Sequence, residues 1–219
     1  MSSMPSMRRS PLHDALLELQ PVCGTLCGMA APLRFPGDAG DYPLGLSDAS
    51  CLQRMGVKGP QAESWLRSVG IDVPPEVNAW TRSHEGVLVA RLARSEFFLE
   101  DRFDGVSVER LRTALQPAPG VYPVLRQDAA LVVTGESAND LLRQTCNVDF
   151  GAAKPDQQTV VMTSMIGVSV LVLWHALEKG RCYRIWCDGT FGPYLWETLL
   201  QIATELGGGA IGLSAIAGA

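Results

Sequence analysis

The sequence contains two copies of one pattern, in which a β-strand runs through a glycine into an amphipathic helix. Residues 55–70 read MGVKGPQAESWLRSVG and residues 131–146 read LVVTGESANDLLRQTC. Aligning Gly59 with Gly135 also aligns the alanine and the apolar helix positions that follow. Residues three and four apart lie on one face of a helix. Because strand, glycine and apolar stripe keep the same spacing, the sequence predicts a chain built from two related units.

The segments downstream of the two copies also correspond. Residues 87–100 and 168–187 each read as two strands around a polar turn, and each pair is followed by an acidic turn, a helix and a short closing strand. Each half is therefore predicted to be a β-α-β-β-α-β unit, and the chain to be an α+β fold of tandem ferredoxin-like halves. A sheet with helices on one face needs a cover for its other face, which a second copy supplies.

Changes in periodicity set the predicted boundaries along the chain. The N-terminal arm begins with polar residues predicted to be disordered and continues as a short helix from Leu12 to Leu19. The rest of the arm is rich in proline and glycine and has no period, so it is predicted to be extended, either across a neighbouring subunit or over its own domain. The predicted segments are the arm at 1–45, the first half at 46–127, the second half at 128–213 and a C-terminal tail at 214–219.

The charge of the chain limits the kinds of molecule that it is expected to bind. Only 19% of the residues are charged, whereas about 25% is usual, which favours a protein whose apolar surface is held by a partner. The net charge of −5 argues against a nucleic-acid footprint. No run of 18 apolar residues predicts a membrane helix, and the segment after Arg8 and Arg9 is too polar for a signal peptide. A cytoplasmic location is predicted, without nucleic-acid or membrane partners.

No metal or nucleotide site is recognisable in the sequence. Cys23 and Cys27 stand at CxxxC spacing, but no second ligand pair accompanies them, and structural zinc needs about four ligands. Cys182 and Cys187 are five apart in a predicted strand, so their side chains point to opposite faces and do not form a disulfide. No GxGxxG joins a strand to a helix, and no P-loop is present. We therefore predict no catalytic residue, cofactor-binding residue or metal ligand in this chain.

Isolated polar residues are interpreted as structural. His175 ends an apolar strand and is predicted to be a hydrogen-bonded structural histidine, and Cys146 is predicted to be a small core residue. Asp149 and Asp188 lie at predicted turns, where each is expected to pair with a nearby arginine such as Arg143 or Arg184.

Aromatic residues concentrate in the second half, between Trp174 and Trp196. Tryptophan, tyrosine and arginine are enriched in the cores of protein interfaces. Strand side chains alternate between faces, so Arg184 and Trp186 share a face opposite Tyr183, and that polar and aromatic face is more typical of a subunit contact than of a core. The candidate subunit interface consists of Arg184, Trp186, Phe191, Tyr194 and Trp196.

Six segments, taken in order, carry a resemblance to a known family. They read RSPLHDAL, LSDASCLQRMGVKGPQAESWL, ARLARSEFFLE, LVVTGESANDLLRQTC, VVMTSMIGVSVLV and YRIWCDGTFGPYLWETL, and they span nearly the whole chain. In this order they resemble the gamma subunit of heterotetrameric sarcosine oxidase. Closely similar small subunits belong to sister complexes such as N-methylglutamate dehydrogenase. That family is distantly similar to the folate-binding aminomethyltransferases, which include the T-protein of the glycine cleavage system.

The resemblance implies a fold like the aminomethyltransferase folate-binding domain and a role inside a larger enzyme. Its implied partners are larger alpha and beta flavoprotein subunits and a small delta subunit. The complex would hold FAD, FMN, NAD and tetrahydrofolate, with none of them in this chain. It would oxidise sarcosine to glycine and pass the one-carbon unit to tetrahydrofolate.

The resemblance also identifies a missing carboxylate. Aminomethyltransferases have an aspartate shortly after a strand and turn, where it orients the folate amine. The segment assigned to that motif here is 163–170, in which Gly167 is followed by Val168, Ser169 and Val170. The departure argues against transferase activity. A free-standing folate-binding one-carbon transferase is the alternative hypothesis, and a scaffold of an unrelated assembly is the third.

Overall fold

A computed structural model describes residues 7–38, 42–115, 119–152, 157–177 and 180–216. The N-terminal elements precede the two repeated halves and consist of one helix and three strands. They are α1 (His13–Leu17), β1 (Val22–Leu26), β2 (Met29–Arg34) and β3 (Gly45–Asp48). Residues 1–6, predicted to be disordered, lie outside the described ranges.

The arm is not simply extended, because β1 and β2 pair as an antiparallel hairpin. Its turn residues Cys27 and Gly28 have φ of +50° and +73°, as two-residue hairpin turns of type I′ require. Cysteine is an unusual residue for such a position, so the turn was not recognisable from the sequence.

The first half forms a five-stranded sheet with two helices. Its strands lie in the order β5-β6-β7-β4-β8, and every neighbouring pair is antiparallel. The elements are β4 (Arg54–Lys58), α2 (Ala62–Ser68), β5 (Ala79–Arg82), β6 (Leu88–Ala93), β7 (Glu96–Glu100), α3 (Ser107–Ala114) and β8 (Tyr122–Val124).

The second half forms a six-stranded sheet in the order β10-β11-β12-β9-β3-β13. Short 3₁₀ turns occupy Phe150–Ala152 and Gly189–Phe191. The other elements are β9 (Ala129–Gly135), α4 (Ala138–Thr145), β10 (Val160–Met165), β11 (Val168–Ala176), β12 (Arg181–Cys187), α5 (Gly192–Glu205), β13 (Gly209–Ala210) and α6 (Leu213–Ile216).

Each half has three strands between its helices, where the sequence predicted two. The additional strands are β5 and β10, the edge strands of their sheets. β5 has four residues, and β10 alternates between buried and exposed positions. Short or half-exposed strands give a weak apolar signal, which explains why both were missed.

The predicted boundary at residue 46 is wrong, because β3 belongs to the second sheet. β3 pairs antiparallel with β9, and β13 pairs parallel with β3. The chain therefore starts the second sheet, leaves it to build the whole first half, and returns at β9. The predicted tail at 214–219 also begins inside α6, and its residues 217–219 lie outside the described part.

The two sheets pack face to face, and their outer faces are covered by helices. One apolar cluster joins β4, β6 and β7 to α2 and α3, and another joins the second sheet to α1, α4 and α5. A third cluster lies between the sheets and contains Leu88, Phe98, Val132, Leu173 and Trp186. The prediction that the two halves cover each other is confirmed.

The repeated glycine has the same unusual backbone in both halves. Gly59 has a φ of +125° and Gly135 a φ of +120°, which other residues rarely adopt. α2 begins after Gly59, with Gln61 at its N-cap. Gly70, with a φ of +82°, ends this helix in the left-handed conformation that glycine favours.

None of the helices in the described ranges is long and apolar enough to cross a membrane.

Candidate functional site

A wide groove runs along the seam between the two halves, and we call it the central groove. Its volume is about 1290 Å³. The linker from β8 to β9 forms one wall, and the hairpin of β10 and β11 forms another. Its lining includes Leu92, Glu96 and the segments 125–128, 162–164, 169–171 and 186–190.

Beside this groove a buried carboxylate joins the two sheets. Glu100, at the end of β7, is 0% exposed. Arg54 of β4 donates from Nε to Glu100 Oε2 at 2.9 Å. Arg184 of β12 donates from Nη2 to Oε1 at 2.5 Å, and Trp186 donates from Nε1 to Oε2 at 2.7 Å. The carboxylate thus accepts three hydrogen bonds, two of them from the other half of the chain.

The predicted interface face of β12 therefore docks on the chain's own first half. Arg184 is 9% exposed and Trp186 is 2% exposed, and the ring of Trp186 packs edge-on against Phe98 with centroids 5.0 Å apart. The predicted alternation is confirmed, since Tyr183 faces the helix side. The assignment of Arg184 and Trp186 to a contact with another subunit is wrong, because their partners come from β7.

Trp196 is also not a surface residue, because it lies in the helix-side core and is 1% exposed. Phe191 and Tyr194 are 53% and 52% exposed, and they stay a predicted interface. Phe191 directly follows the groove-lining segment 186–190. Tyr194 donates its hydroxyl to the carbonyl of Ile166 at the β10–β11 turn.

Three of the buried cysteines are protonated at neutral pH. Burial raises the pKa of Cys51 and of Cys187 to about 12, and that of Cys182 to about 11. Since the thiolate is the nucleophile and the metal ligand, these groups are poor candidates for either role. Cys182 and Cys187 pack in different clusters, on opposite faces of the second sheet, as predicted. Within the described ranges no three or more of His, Cys, Asp and Glu stand together as a metal site.

His175 is held neutral by its surroundings. Burial, together with the positive charges of Arg82 and Arg184, lowers its pKa to about 4. Its Nδ1 is buried without a hydrogen-bond partner, so the prediction of a fully hydrogen-bonded histidine is wrong for this atom. Cys146 is buried in the helix-side core, as predicted.

The acidic turn residues divide into two cases. Asp149 Oδ1 lies 3.9 Å from Arg143 Nε, which is the predicted ion pair. Asp188 accepts instead from the backbone N–H and the hydroxyl of Thr190, and these hydrogen bonds lower its pKa.

In both halves apolar residues directly follow the glycine of the hairpin turn. β10 turns into β11 at Gly167, with a φ of +85°, and β5 leads into β6 through Gly86, with a φ of +83°. Apolar residues begin the strand after each turn, with Val168 in one and Val87 and Leu88 in the other. Neither copy of the hairpin places an aspartate at this position.

Asp48, beside the seam, makes the stability depend on pH. It is 2% exposed and accepts from the backbone N–H of Ser50. Burial raises its pKa above the ordinary value of 3.8, so its stabilising contribution is present below that value and is lost as the pH rises through the folded pKa. The Asp48→Asn variant is therefore expected to gain free energy of unfolding, relative to the wild type, as urea denaturation is repeated from about pH 4 to pH 7.

Asp188→Asn is the control for that experiment. Its folded pKa is lowered, so its stabilising contribution is present at neutral pH and is lost as the pH falls. The difference from the wild type is expected to change with the opposite sign. Parallel pH profiles for the wild type and Asp48→Asn would contradict the assignment.

Two stacked α/β halves, with the first inserted in the second, define a fold that resembles the aminomethyltransferases. No protein-family model and no curated protein sequence matches the chain. The glycine cleavage system aminomethyltransferase T from Bartonella henselae is similar in structure, with a TM-score of 0.72 and 16% identity over 96% of this chain. This chain spans only 61% of the length of that protein.

The second similar structure is the heterotetrameric sarcosine oxidase from Corynebacterium sp. U-96 in complex with pyrrole 2-carboxylate. Its TM-score is 0.67 and its identity 20%, over 92% of this chain and 97% of that chain. The similarity to both proteins that the sequence motifs predicted is confirmed in the structure. At these identities the matches establish the fold.

Proposed function

We propose that this chain is a small, non-catalytic, gamma-type subunit of a heterotetrameric sarcosine oxidase-like flavoenzyme complex. The observation that carries the proposal is the match in length, because 92% of this chain aligns with 97% of a chain of the oxidase. The aminomethyltransferase, by contrast, continues well beyond the matched part. A chain that matches one whole component of a multi-subunit enzyme fits a role as a subunit better than a role as a free transferase.

The chemistry of the seam supports a bracing role. The buried carboxylate of Glu100 accepts hydrogen bonds from Arg54, Arg184 and Trp186. Burial keeps the thiols of Cys51, Cys182 and Cys187 protonated, His175 is neutral, and the residues that directly follow the turn glycines Gly86 and Gly167 are apolar. The hydrogen bonds of Glu100 hold the two halves together.

In the proposed complex the other chains carry the chemistry. Alpha and beta flavoprotein subunits and a delta subunit would be the partners, and FAD, FMN, NAD and tetrahydrofolate would be bound outside this chain. The complex would demethylate sarcosine to glycine, with the one-carbon unit passing to tetrahydrofolate. A sister complex acting on N-methylglutamate is the alternative substrate assignment, and comparing both amines as substrates of the purified complex separates the two.

The two halves also support descent from a duplicated ferredoxin-like unit. In the first sheet the strands β8, β4, β7 and β6 lie side by side and antiparallel, and β5 is added at the edge. In the second sheet β9, β12 and β11 repeat this order, β3 takes the place of β8, and β10 is the added edge strand.

Native mass spectrometry of the protein purified from its source cell tests the proposal. We expect this chain in an assembly with larger flavin-containing chains, and we expect the isolated chain to be colourless. Flavin absorbance in the isolated chain would contradict the non-catalytic assignment. Saturable quenching of tryptophan fluorescence by tetrahydrofolate at micromolar concentration would favour the free-standing transferase.

Phe191 and Tyr194 are the exposed residues through which we propose that the chain contacts its partners. The double variant Phe191→Ser, Tyr194→Ser removes two large apolar side chains that are half exposed. Truncation of interface aromatics commonly costs 2 kcal/mol or more of binding free energy. We therefore expect the dissociation constant of the complex to rise by about tenfold or more, as measured by dilution in native mass spectrometry.

The matched control is Val106→Ser, an exposed apolar residue at the start of α3 that is 75% exposed. Its loss is expected to leave assembly unchanged. Unfolding curves of all variants check that the fold persists. Equal assembly of the double variant and the wild type would remove Phe191 and Tyr194 from the interface.

A further inference from the structure

A second cavity at the seam is lined by arginines, and we call it the arginine cleft. It has a volume of about 350 Å³ and lies where the N-terminal arm, β4 and the linker from β8 to β9 meet. The arginines that line the cleft are Arg8, Arg9, Arg54, Arg112 and Arg126. The last three also line a neighbouring cavity of about 390 Å³, whose apolar lining includes Met55, Leu115 and Val124.

The charge of the cleft is opposite to that of the protein. Five arginines line it, and Asp128 is its only acidic lining residue, although the chain as a whole has a net charge of −5. Three of the arginines have acidic neighbours. Arg54 pairs with Glu100 at 2.9 Å, Arg112 Nη1 lies 3.5 Å from Glu109, and Arg126 lies 3.7 Å from both Glu96 and Asp128. No ion pair among the described residues involves Arg8 or Arg9, so positive charge remains in the cleft and attracts anions.

Two of the arginines have donors that the fold leaves unused. Arg126 Nε is buried without a hydrogen-bond partner. Its Nη1 and Nη2 lie 3.7 Å from the nearest oxygens of Asp128 and Glu96, which is too far for a hydrogen bond. Arg9 is exposed, and no ion pair joins it to another described residue. Unsatisfied buried donors are rare in folded proteins, and the one of Arg126 lies in a positively charged cavity.

The backbone fixes these side chains around the cleft. Arg8 bridges to Met29 of β2, and the residue after Arg9, Ser10, is buried. Arg112 donates to the side chain of Gln53 and to the carbonyl of Arg54. The guanidinium of Arg126 stacks over the ring of Phe98 at 5.4 Å. Guanidinium groups held in this way are suited to bidentate hydrogen bonds with carboxylate or phosphate oxygens.

We propose that the arginine cleft is a binding site for a small oxyanion, of the phosphate or dicarboxylate class. Its volume lies in the range of small-molecule pockets, which favours a small ligand over an acidic polypeptide. The adjoining apolar cavity provides room for a ligand with an apolar body. The site is independent of the proposed assembly with larger subunits, so either proposal is testable without the other.

Isothermal titration of the full-length chain with inorganic phosphate and with succinate, at low salt, tests the site. We expect saturable binding of at least one of the two at a single site, weakened by added sodium chloride because exposed charges are screened. Arg9→Gln and Arg126→Gln are each expected to weaken binding by about tenfold, since each removes charge-assisted hydrogen bonds. The preferred anion distinguishes a phosphate ligand from a carboxylate ligand.

Two further variants control for net charge and for folding. Arg143→Gln removes the same charge from α4, where Arg143 is 60% exposed and pairs with Asp140 and Asp149, and it is expected to bind like the wild type. Asp128→Asn removes the one carboxylate of the cleft and is expected to tighten binding. Thermal unfolding of each variant shows whether it is folded.

Three outcomes overturn the proposal. The first is the absence of saturable binding of either anion up to about 10 mM, weaker than any useful small-ligand affinity. The second is an equal loss of binding in Arg143→Gln and Arg9→Gln, which would reflect net charge alone. The third is binding of a polyglutamate peptide but of neither free anion, which would make the cleft a docking groove for an acidic segment.

Discussion

Replacing Glu100 by alanine is expected to lower the free energy of unfolding by about 3–5 kcal/mol, the usual cost of removing one member of a buried ion pair. The variant leaves Arg54 and Arg184 buried between the two sheets without a counter-charge. It also removes the acceptor for Trp186 Nε1, which lies 2.7 Å from the carboxylate. Equilibrium urea denaturation, followed by tryptophan fluorescence, measures the change.

Glu96→Ala is the matched control because Glu96 lies on the same strand. Glu96 is 37% exposed, and its nearest arginine nitrogen is 3.7 Å away, so its loss is expected to cost less than about 1 kcal/mol. Glu100→Gln keeps an acceptor for Trp186 but removes the charge, and it is expected to fall between the wild type and Glu100→Ala. Similar losses in Glu96→Ala and Glu100→Ala would show that Glu100 does not hold the two halves together.

Replacing Gly135 by alanine is expected to cost about 3 kcal/mol or more, through strain and a steric clash together. The φ of +120° is unfavourable for any residue with a β-carbon, and an added Cβ would lie 2.3 Å from the carbonyl oxygen of Pro43. Because that atom belongs to the backbone beside β3, relief requires the strand to move. Thermal and urea denaturation both measure the loss.

Gly59→Ala extends this experiment to the other copy of the repeat. Its φ is +125°, and its added Cβ would lie 2.3 Å from the carbonyl oxygen of Gly120, so a comparable loss is expected. Gly70→Ala is the control, since a Cβ there meets nothing within 4 Å and only the left-handed backbone costs about 1–2 kcal/mol. A Gly135→Ala loss no greater than that of Gly70→Ala would contradict the steric argument.

The sequence predicted the features that depend on neighbouring residues, namely backbone positions that need glycine and the apolar faces of helices. Gly59 and Gly135 mark backbone positions that only glycine occupies easily, and the apolar stripes of α2 and α4 follow from helix geometry. These signals sufficed to predict an α+β chain whose two sheets cover each other. The short edge strand β5 and the Cys27–Gly28 turn carry weak or unusual local signals, and both were missed.

The sequence did not predict which distant segments pair with each other. β3 joins a strand that begins at Ala129, and nothing in its four residues identifies that partner. Arg184 and Trp186 have the composition of an interface because they do form one, with a partner 84 and 86 residues away in the same chain. The alternation of strand faces was predictable, but the identity of the surface that covers one of them was not.

The nested order of the two halves determines when each is able to fold during synthesis. The first half is contiguous and is complete once β8 has left the ribosome, so it folds from neighbouring segments. The second sheet needs β3, which is made early, and β9 to β13, which are made last, and its closure joins segments far apart in sequence. Contacts between segments far apart in sequence form slowly. Until β9 to β13 are made, β3 has no strand partner and the apolar inner face of the first sheet is uncovered. During this interval the nascent chain is most exposed to misassociation.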